Sequence, residues 1–165
     1  MKFLFSALTL LAMGACNSSS ETKTDVTKDT ASHDADHHPA ITAAVPDVEN
    51  PPAGAKVFFK NLKAGQTISS PYKLKMGVEG MKIDTAGPLV SGSGHHHLMI
   101  DGTDSAAKGT VVAKDSVNIH FGKGQTEYEI KLSPGKHKLA LQFADAIHRS
   151  YGGQMSTTVE VNVKQ

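Results

Sequence analysis

Apolar and polar side chains alternate along most of the second half of the chain. In residues 72–78 the large apolar side chains fall on even positions, and similar alternation returns in residues 117–121, 127–132, 137–143 and 159–163. This period of two gives a strand one buried face and one solvent-facing face, which is typical of antiparallel sheets. No stretch has the i, i+3, i+4, i+7 spacing of an amphipathic helix. The pattern therefore predicts an all-β domain.

Glycine and proline clusters separate the alternating stretches, as expected of turns between strands. They include residues 63–65, 122–124, 133–135 and 152–153. Two further strands, over residues 56–62 and 95–101, bring the expected total to about seven. We predict a single immunoglobulin-like or cupredoxin-like antiparallel β-sandwich over residues 51–165.

The N-terminal residues resemble the signal of a bacterial lipoprotein. An apolar stretch, residues 3–12, follows Lys2 and is too short to span a bilayer as a helix. It leads into Met13-Gly14-Ala15-Cys16, which resembles the lipobox at whose cysteine such proteins are cleaved and lipidated. We predict a signal peptide over residues 1–15, a lipid anchor on Cys16 and a periplasm-facing protein, with the outer membrane favoured. An ordinary signal peptide with an incidental cysteine is the alternative.

Residues 16–50 carry almost no large apolar side chains and are predicted to form a disordered linker. The linker contains a cluster of His33, His37 and His38 with aspartates, which could bind Zn²⁺ or Cu²⁺ loosely; a solvated polar segment is the alternative. The formal net charge of the whole chain is +1, and there is no basic block. The composition therefore gives no indication of a nucleic-acid partner.

Three consecutive histidines follow Gly94, in a segment that reads as a strand. Because side chains alternate along a strand, we assign His96, with Leu98 and Ile100, to the core face, as a hydrogen-bonded core group. The opposite face then carries His95, His97 and Met99. Imidazole with a thioether suits copper, and imidazole alone also suits zinc. We predict His95 and His97 as ligands of a metal ion, copper before zinc.

Further ligands must come from other elements, because one strand rarely completes a metal site. The candidates are His120, on the polar side of its strand, and Asp145 and His148, where a strand runs into a loop. An alternative is a non-catalytic structural or protein-interaction module of the cell envelope, with an unknown envelope partner, whose histidines form a hydrogen-bond network. Histidine-based pH sensing ranks below both. No nucleophile, phosphate-binding or zinc-protease motif is present, and we expect no enzymatic activity.

Three sequence blocks resemble a bacterial family known as domain of unknown function 4399. They are residues 94–101 (GHHHLMID), 120–127 (HFGKGQTE) and 134–139 (PGKHKL), in the same order and spacing. The resemblance covers about residues 54–163. It implies an exported, often lipid-anchored β-domain, and it implies no known activity.

Overall fold

The computed structural model describes residues 44–165, which form two β-sheets packed face to face. The predicted signal peptide, Cys16 and the linker histidines His33, His37 and His38 lie outside the described residues. None of the described residues belongs to a helix long and apolar enough to cross a membrane.

Nine strands and one short 3-10 turn make up the described part of the chain. In order they are β1 Lys56–Phe59, β2 Gln66–Ile68, β3 Tyr72–Glu79, β4 Lys82–Ile83, β5 Ser93–Ile100, β6 Asn118–His120, β7 Glu127–Ile130, β8 Gly135–Ala144, the 3-10 turn Gly153–Met155, and β9 Ser156–Val163. The predicted all-β sandwich is confirmed. The sequence did not indicate β2 and β4, because β2 carries only one large apolar side chain and β4 has only two residues.

The smaller sheet has the order β1-β3-β7, and the larger has the order β2-β9-β8-β5-β4. Strand β6 also pairs with β5, on the side opposite β8 and further along the strand than β4. Most neighbouring strands are antiparallel, as predicted. The two short strands are the exceptions, because β2 runs parallel to β9 and β4 runs parallel to β5. Strand β5 therefore lies inside the larger sheet, with β8 on one side and β6 on the other.

The core lies between the two sheets and is made by the inward-facing side chains of both. Leu74 and Met76 of β3 face Leu98 of β5 and Leu141 of β8 in one cluster, and all four are fully buried. Val48 packs in the same cluster. The folded domain therefore begins before residue 51, because the end of the predicted linker already contributes to the core.

The outer face of β5 is also buried, although alternation predicts that one face of such a strand meets solvent. The long β5–β6 loop covers it: the Ala106 N–H donates to Gln142 Oε1 (3.0 Å), and Ser150 Oγ donates to the Ala106 carbonyl (2.9 Å). Gln142 pairs with His97 across the β5–β8 ladder, so the loop lies over the face that carries His97. The outer face of the sheet thus becomes a second, polar interior.

Candidate metal centre

Four histidines meet on the outer face of the larger sheet. His95 and His97 come from β5, His120 is the last residue of β6 and pairs directly with His97, and His148 comes from the loop after β8. The six distances between their ring centroids run from 4.5 to 5.9 Å. Residues separated by up to 53 positions in sequence are therefore brought together, because β6 and β8 both pair with β5.

The imidazole nitrogens point at one another. His95 Nε2 lies 3.1 Å from His97 Nε2 and 3.1 Å from His120 Nε2. One ring nitrogen each from His95, His120 and His148 lies within 4.8 Å of the other two. Two nitrogens bound to one ion at ~2.0–2.1 Å are about 2.9 Å apart at a right angle and about 3.3 Å apart at the tetrahedral angle. His95, His120 and His148 could therefore hold a transition-metal ion, and His97 adjoins them through His95.

The loop that carries His148 is held by Asp145. One carboxylate oxygen of Asp145 accepts the N–H groups of Ile147 (3.0 Å) and Arg149 (2.9 Å), and the other accepts Arg149 Nε (2.8 Å). The His148 N–H donates to the Asp145 carbonyl (2.9 Å), and His148 has the left-handed φ of 72°. Asp145, expected as a ligand, does not join the converging nitrogens. Its oxygens are occupied within the loop, and its role is to fix the backbone of His148.

Arg149 extends this support to the N-terminal end of the domain. Its Nη1 donates to the Pro46 carbonyl (2.6 Å), while its Nε is paired with Asp145. From the other side, the His148 carbonyl accepts the Val112 N–H (2.9 Å) from the β5–β6 loop. The His148 loop is therefore tied to two other segments as well as to itself.

Burial favours the neutral form of His95, His97 and His120. Desolvation lowers the pKa of His95 to about 4, with His120 and His148 adding to the effect and Asp145 opposing it. Desolvation and the neighbouring His95 lower the pKa of His97 to about 3, and burial also lowers the pKa of His120. Neutral imidazole is the metal-binding form, so the lone pairs are available at neutral pH without the loss of a proton.

Comparison with known families agrees with the sequence blocks described above. The family model described as Domain of unknown function (DUF4399) matches residues 74–164. The chain belongs to this family. The match runs from β3 into the end of β9 and includes all four clustered histidines of this DUF4399 domain. No curated protein and no solved structure matches the chain.

A glycine that the sequence indicated only as a turn residue shapes the centre of this DUF4399 domain. A Cβ on Gly122 would lie 2.3 Å from Cε1 and 2.4 Å from Nε2 of His120. Glycine is therefore required for the His120 ring to fold back over the chain toward His95. The sequence shows a glycine two residues after His120. Its role becomes evident only from the direction of the His120 side chain in the structure.

Met99 lies on the same face of β5 as His95 and His97, as predicted, and is buried. Its sulfur accepts a hydrogen bond from Thr103 Oγ1 (3.8 Å) in the loop that follows β5. The contacts within the cluster are all between imidazoles. The donor set that this DUF4399 domain assembles is therefore nitrogen, without the thioether considered from the sequence.

His96 faces the core between the sheets, as predicted, but it is not hydrogen-bonded there. Its ring meets the edge of Phe143 at a centroid distance of 5.2 Å, and within residues 44–165 neither ring nitrogen has a hydrogen-bond partner. Desolvation lowers its pKa to about 4, with smaller effects from His95 and Lys60. In this DUF4399 domain, His96 is an apolar-packed neighbour of the centre and contributes no nitrogen to it.

Proposed function

We propose that this protein is a metal-binding lipoprotein of the bacterial cell envelope. It binds one transition-metal ion, copper in preference to zinc, through His95, His97, His120 and His148. The observation that carries the proposal is the approach of His97 Nε2 and His120 Nε2 to within 3.1 Å of the same atom, His95 Nε2.

A hydrogen-bond network, the alternative class of function, accounts for only part of this geometry. A neutral imidazole nitrogen has a single in-plane position, either a proton or a lone pair. His95 Nε2 can therefore form one good hydrogen bond, with His97 or with His120, although both nitrogens lie 3.1 Å away. A metal ion accepts lone pairs from all of them at once. The metal proposal thus uses every short contact in the cluster.

The cost of burying these imidazoles is also consistent with a binding role, in which the facing Nε2 atoms and not the unpaired Nδ1 atoms would meet the ion. Within the described residues, Nδ1 of His95 and Nδ1 of His97 have no hydrogen-bond partner, and both side chains are fully buried. Unpaired buried polar atoms cost roughly 1–3 kcal/mol each. An arrangement chosen for stability alone would avoid four crowded imidazoles, so the cluster is better explained by something it binds.

The nitrogen donor set supports copper before zinc. Divalent affinities at a given nitrogen site rise toward Cu²⁺ and fall again at Zn²⁺. Soft thioether sulfur, which would favour Cu⁺, is engaged elsewhere in the case of Met99. Cu²⁺ is therefore the ion we expect to bind most tightly, followed by Zn²⁺.

The location follows from the N-terminal residues. In our proposal Cys16 carries the lipid, the membrane is the first partner, and the domain faces the periplasm, where an envelope protein could contact it. We propose a binding protein without enzymatic activity of its own. Cells grown with a radioactive fatty acid should label the unsubstituted protein and not a Cys16→Ser variant, and absence of label from the unsubstituted protein would contradict the anchor.

Calorimetric titration with Cu²⁺ and Zn²⁺ tests the binding proposal. The test protein is the chain from Asn17 onward with His33, His37 and His38 replaced by alanine, so that the linker cannot contribute. We expect one ion per chain with a Kd below about 1 μM, and tighter binding of Cu²⁺. His137→Ala is the matched control, because His137 pairs with Asp101 outside the cluster (2.7 Å). Absence of one-to-one binding by the folded test protein would refute the proposal.

A further inference from the structure

The four ligands of the centre differ in exposure, in a way that bears on what the bound ion is for. His95 and His97 are completely buried, whereas His120 and His148 are partly exposed. The two partly exposed rings are also the closest pair, with centroids 4.5 Å apart. The centre therefore has a buried floor, His95 and His97, and a mouth, His120 and His148.

The backbone that carries the floor ligands is also more extensively paired than the backbone that carries the mouth ligands. His95 and His97 belong to an eight-residue strand that is paired with β8 over residues 95–100 and with β6 at His97. His120 ends a three-residue strand, and His148 lies in a loop with a left-handed φ of 72°. Left-handed backbone is unfavourable for a residue with a side chain, and loops open more readily than central strands. The mouth ligands are thus held by less strand pairing than the floor ligands, although hydrogen bonds tie the His148 loop to its neighbours.

Ligand exchange at a metal ion needs an incoming donor atom to reach the ion. Sites that retain an ion for structure are closed by their protein ligands on all sides. Here an incoming donor could approach past His120 and His148, while His95 and His97 continue to hold the ion from below. Two protein nitrogens would remain bound throughout the replacement of the other two.

We propose that the bound ion is an exchangeable cargo, taken up and passed on through the mouth to an acceptor with its own chelating donor groups. This inference rests on the proposed metal binding and adds the direction and manner of exchange. His148 is the first protein ligand to be replaced, because it alone of the four lies outside a strand. The protein is then a carrier of transition-metal ions at the cell envelope.

The test loads the test protein with one equivalent of Cu²⁺ and mixes it with EDTA at increasing excess. Loss of the copper–imidazole absorbance is followed by stopped flow. We expect a release rate that rises in proportion to EDTA concentration over at least a tenfold range, because the chelator enters the mouth. A rate independent of EDTA would overturn the inference, since the ion would then leave only after the site opens by itself.

Two variants separate the mouth from general weakening of the domain. His148→Ala should release Cu²⁺ at least tenfold faster at one EDTA concentration, while His137→Ala should match the unsubstituted protein. Equal rates for the two variants would also overturn the inference. Failure of the unsubstituted protein to bind Cu²⁺ refutes the proposed function instead, and the two failures are therefore distinguishable.

Discussion

The three consecutive histidines of β5 divide between the two faces of the strand, and the two faces use them differently. On the outer face, His95 and His97 meet His120 with nitrogens 3.1 Å from one atom. On the inner face, His96 packs against Phe143 with both nitrogens unpaired within the described residues. All three side chains are fully buried. Burial and residue type are thus shared, and only the convergence of nitrogens distinguishes a site from a core position.

The two faces also show how a β-sandwich can bury polar side chains on the outer face of one of its sheets. The inner face of β5 joins the apolar core with Leu98, whereas the outer face is partly covered by a loop that bonds to Gln142 and Ser150 through Ala106. A loop can supply backbone N–H and C=O groups to a polar face, which an opposing sheet cannot do as freely. Here the loop bonds to Gln142 and Ser150, and the imidazoles of the outer face meet one another.

Acid should destabilise the protein through the histidines of both faces. All three are neutral in the folded state and become protonated when the chain unfolds. Burial lowers their pKa values to about 4, 4 and 3 for His95, His96 and His97. The unfolded chain binds more protons below about pH 6.5, so stability is complete above that pH and falls toward pH 4. We expect a loss of roughly 1 kcal/mol per pH unit for each histidine, or several in all. Urea unfolding of the metal-free test protein at pH 7, 6 and 5 measures it.

Added Cu²⁺ should stabilise the protein through the histidines of the outer face alone in the same experiment. A bound ion competes with protons at His95 and His97 and leaves His96 unaffected. The loaded protein should therefore be more stable than the metal-free protein at each pH. Its stability should still fall with acid at least as steeply, because the ligand imidazoles released on unfolding take up protons. A pH-independent stability of the metal-free protein would contradict the neutral buried histidines.

Removal of the outer-face pair should abolish tight binding. We expect His95→Ala/His97→Ala to weaken Cu²⁺ affinity at least 100-fold, equivalent to about 2.7 kcal/mol, because both floor ligands are lost. Circular dichroism establishes that the variant folds, and calorimetry gives the affinity. Unchanged affinity in the folded variant would place the ion elsewhere.

Gly122→Ala should weaken binding without removing any ligand. The added Cβ would overlap the His120 ring at 2.3 Å, so the imidazole must turn away from the cluster. We expect an affinity loss of about tenfold, or about 1.4 kcal/mol, with the fold retained. Gly102→Ala is the matched control, because its Cβ would meet its nearest neighbour at 3.9 Å. Equal affinities for the two variants would contradict the assigned role of Gly122.

His96→Leu should have the smallest effect and the opposite sign. Replacing an unpaired buried imidazole by an apolar side chain of similar size removes two unsatisfied atoms, and we expect about 1 kcal/mol of added stability. Cu²⁺ affinity should stay within threefold of the unsubstituted value. Thermal unfolding and calorimetry measure both quantities. A large loss of affinity would show that the two faces are not independent.

Much of this arrangement could be predicted from the sequence, because strand alternation determines which face a side chain takes. That rule places His96 on one face and His95 and His97 on the other. The position of further histidines at or beyond strand ends, where binding sites usually lie, indicated His120 and His148 as partners. The local bonding of Asp145 could not be predicted, since a carboxylate beside a histidine suits a ligand and a loop support equally well. The covering of the outer face by the β5–β6 loop could not be predicted either, because the loop sequence has no periodic pattern.

X-ray absorption at the copper edge of the loaded test protein tests the central claim most directly, because it counts the imidazoles around the ion. We predict three or four nitrogen ligands at about 2.0 Å with the scattering pattern of imidazole, and loss of that pattern in His95→Ala/His97→Ala. A site with one imidazole or none, or a spectrum unchanged by the double substitution, would contradict the convergence of these histidines on a single ion.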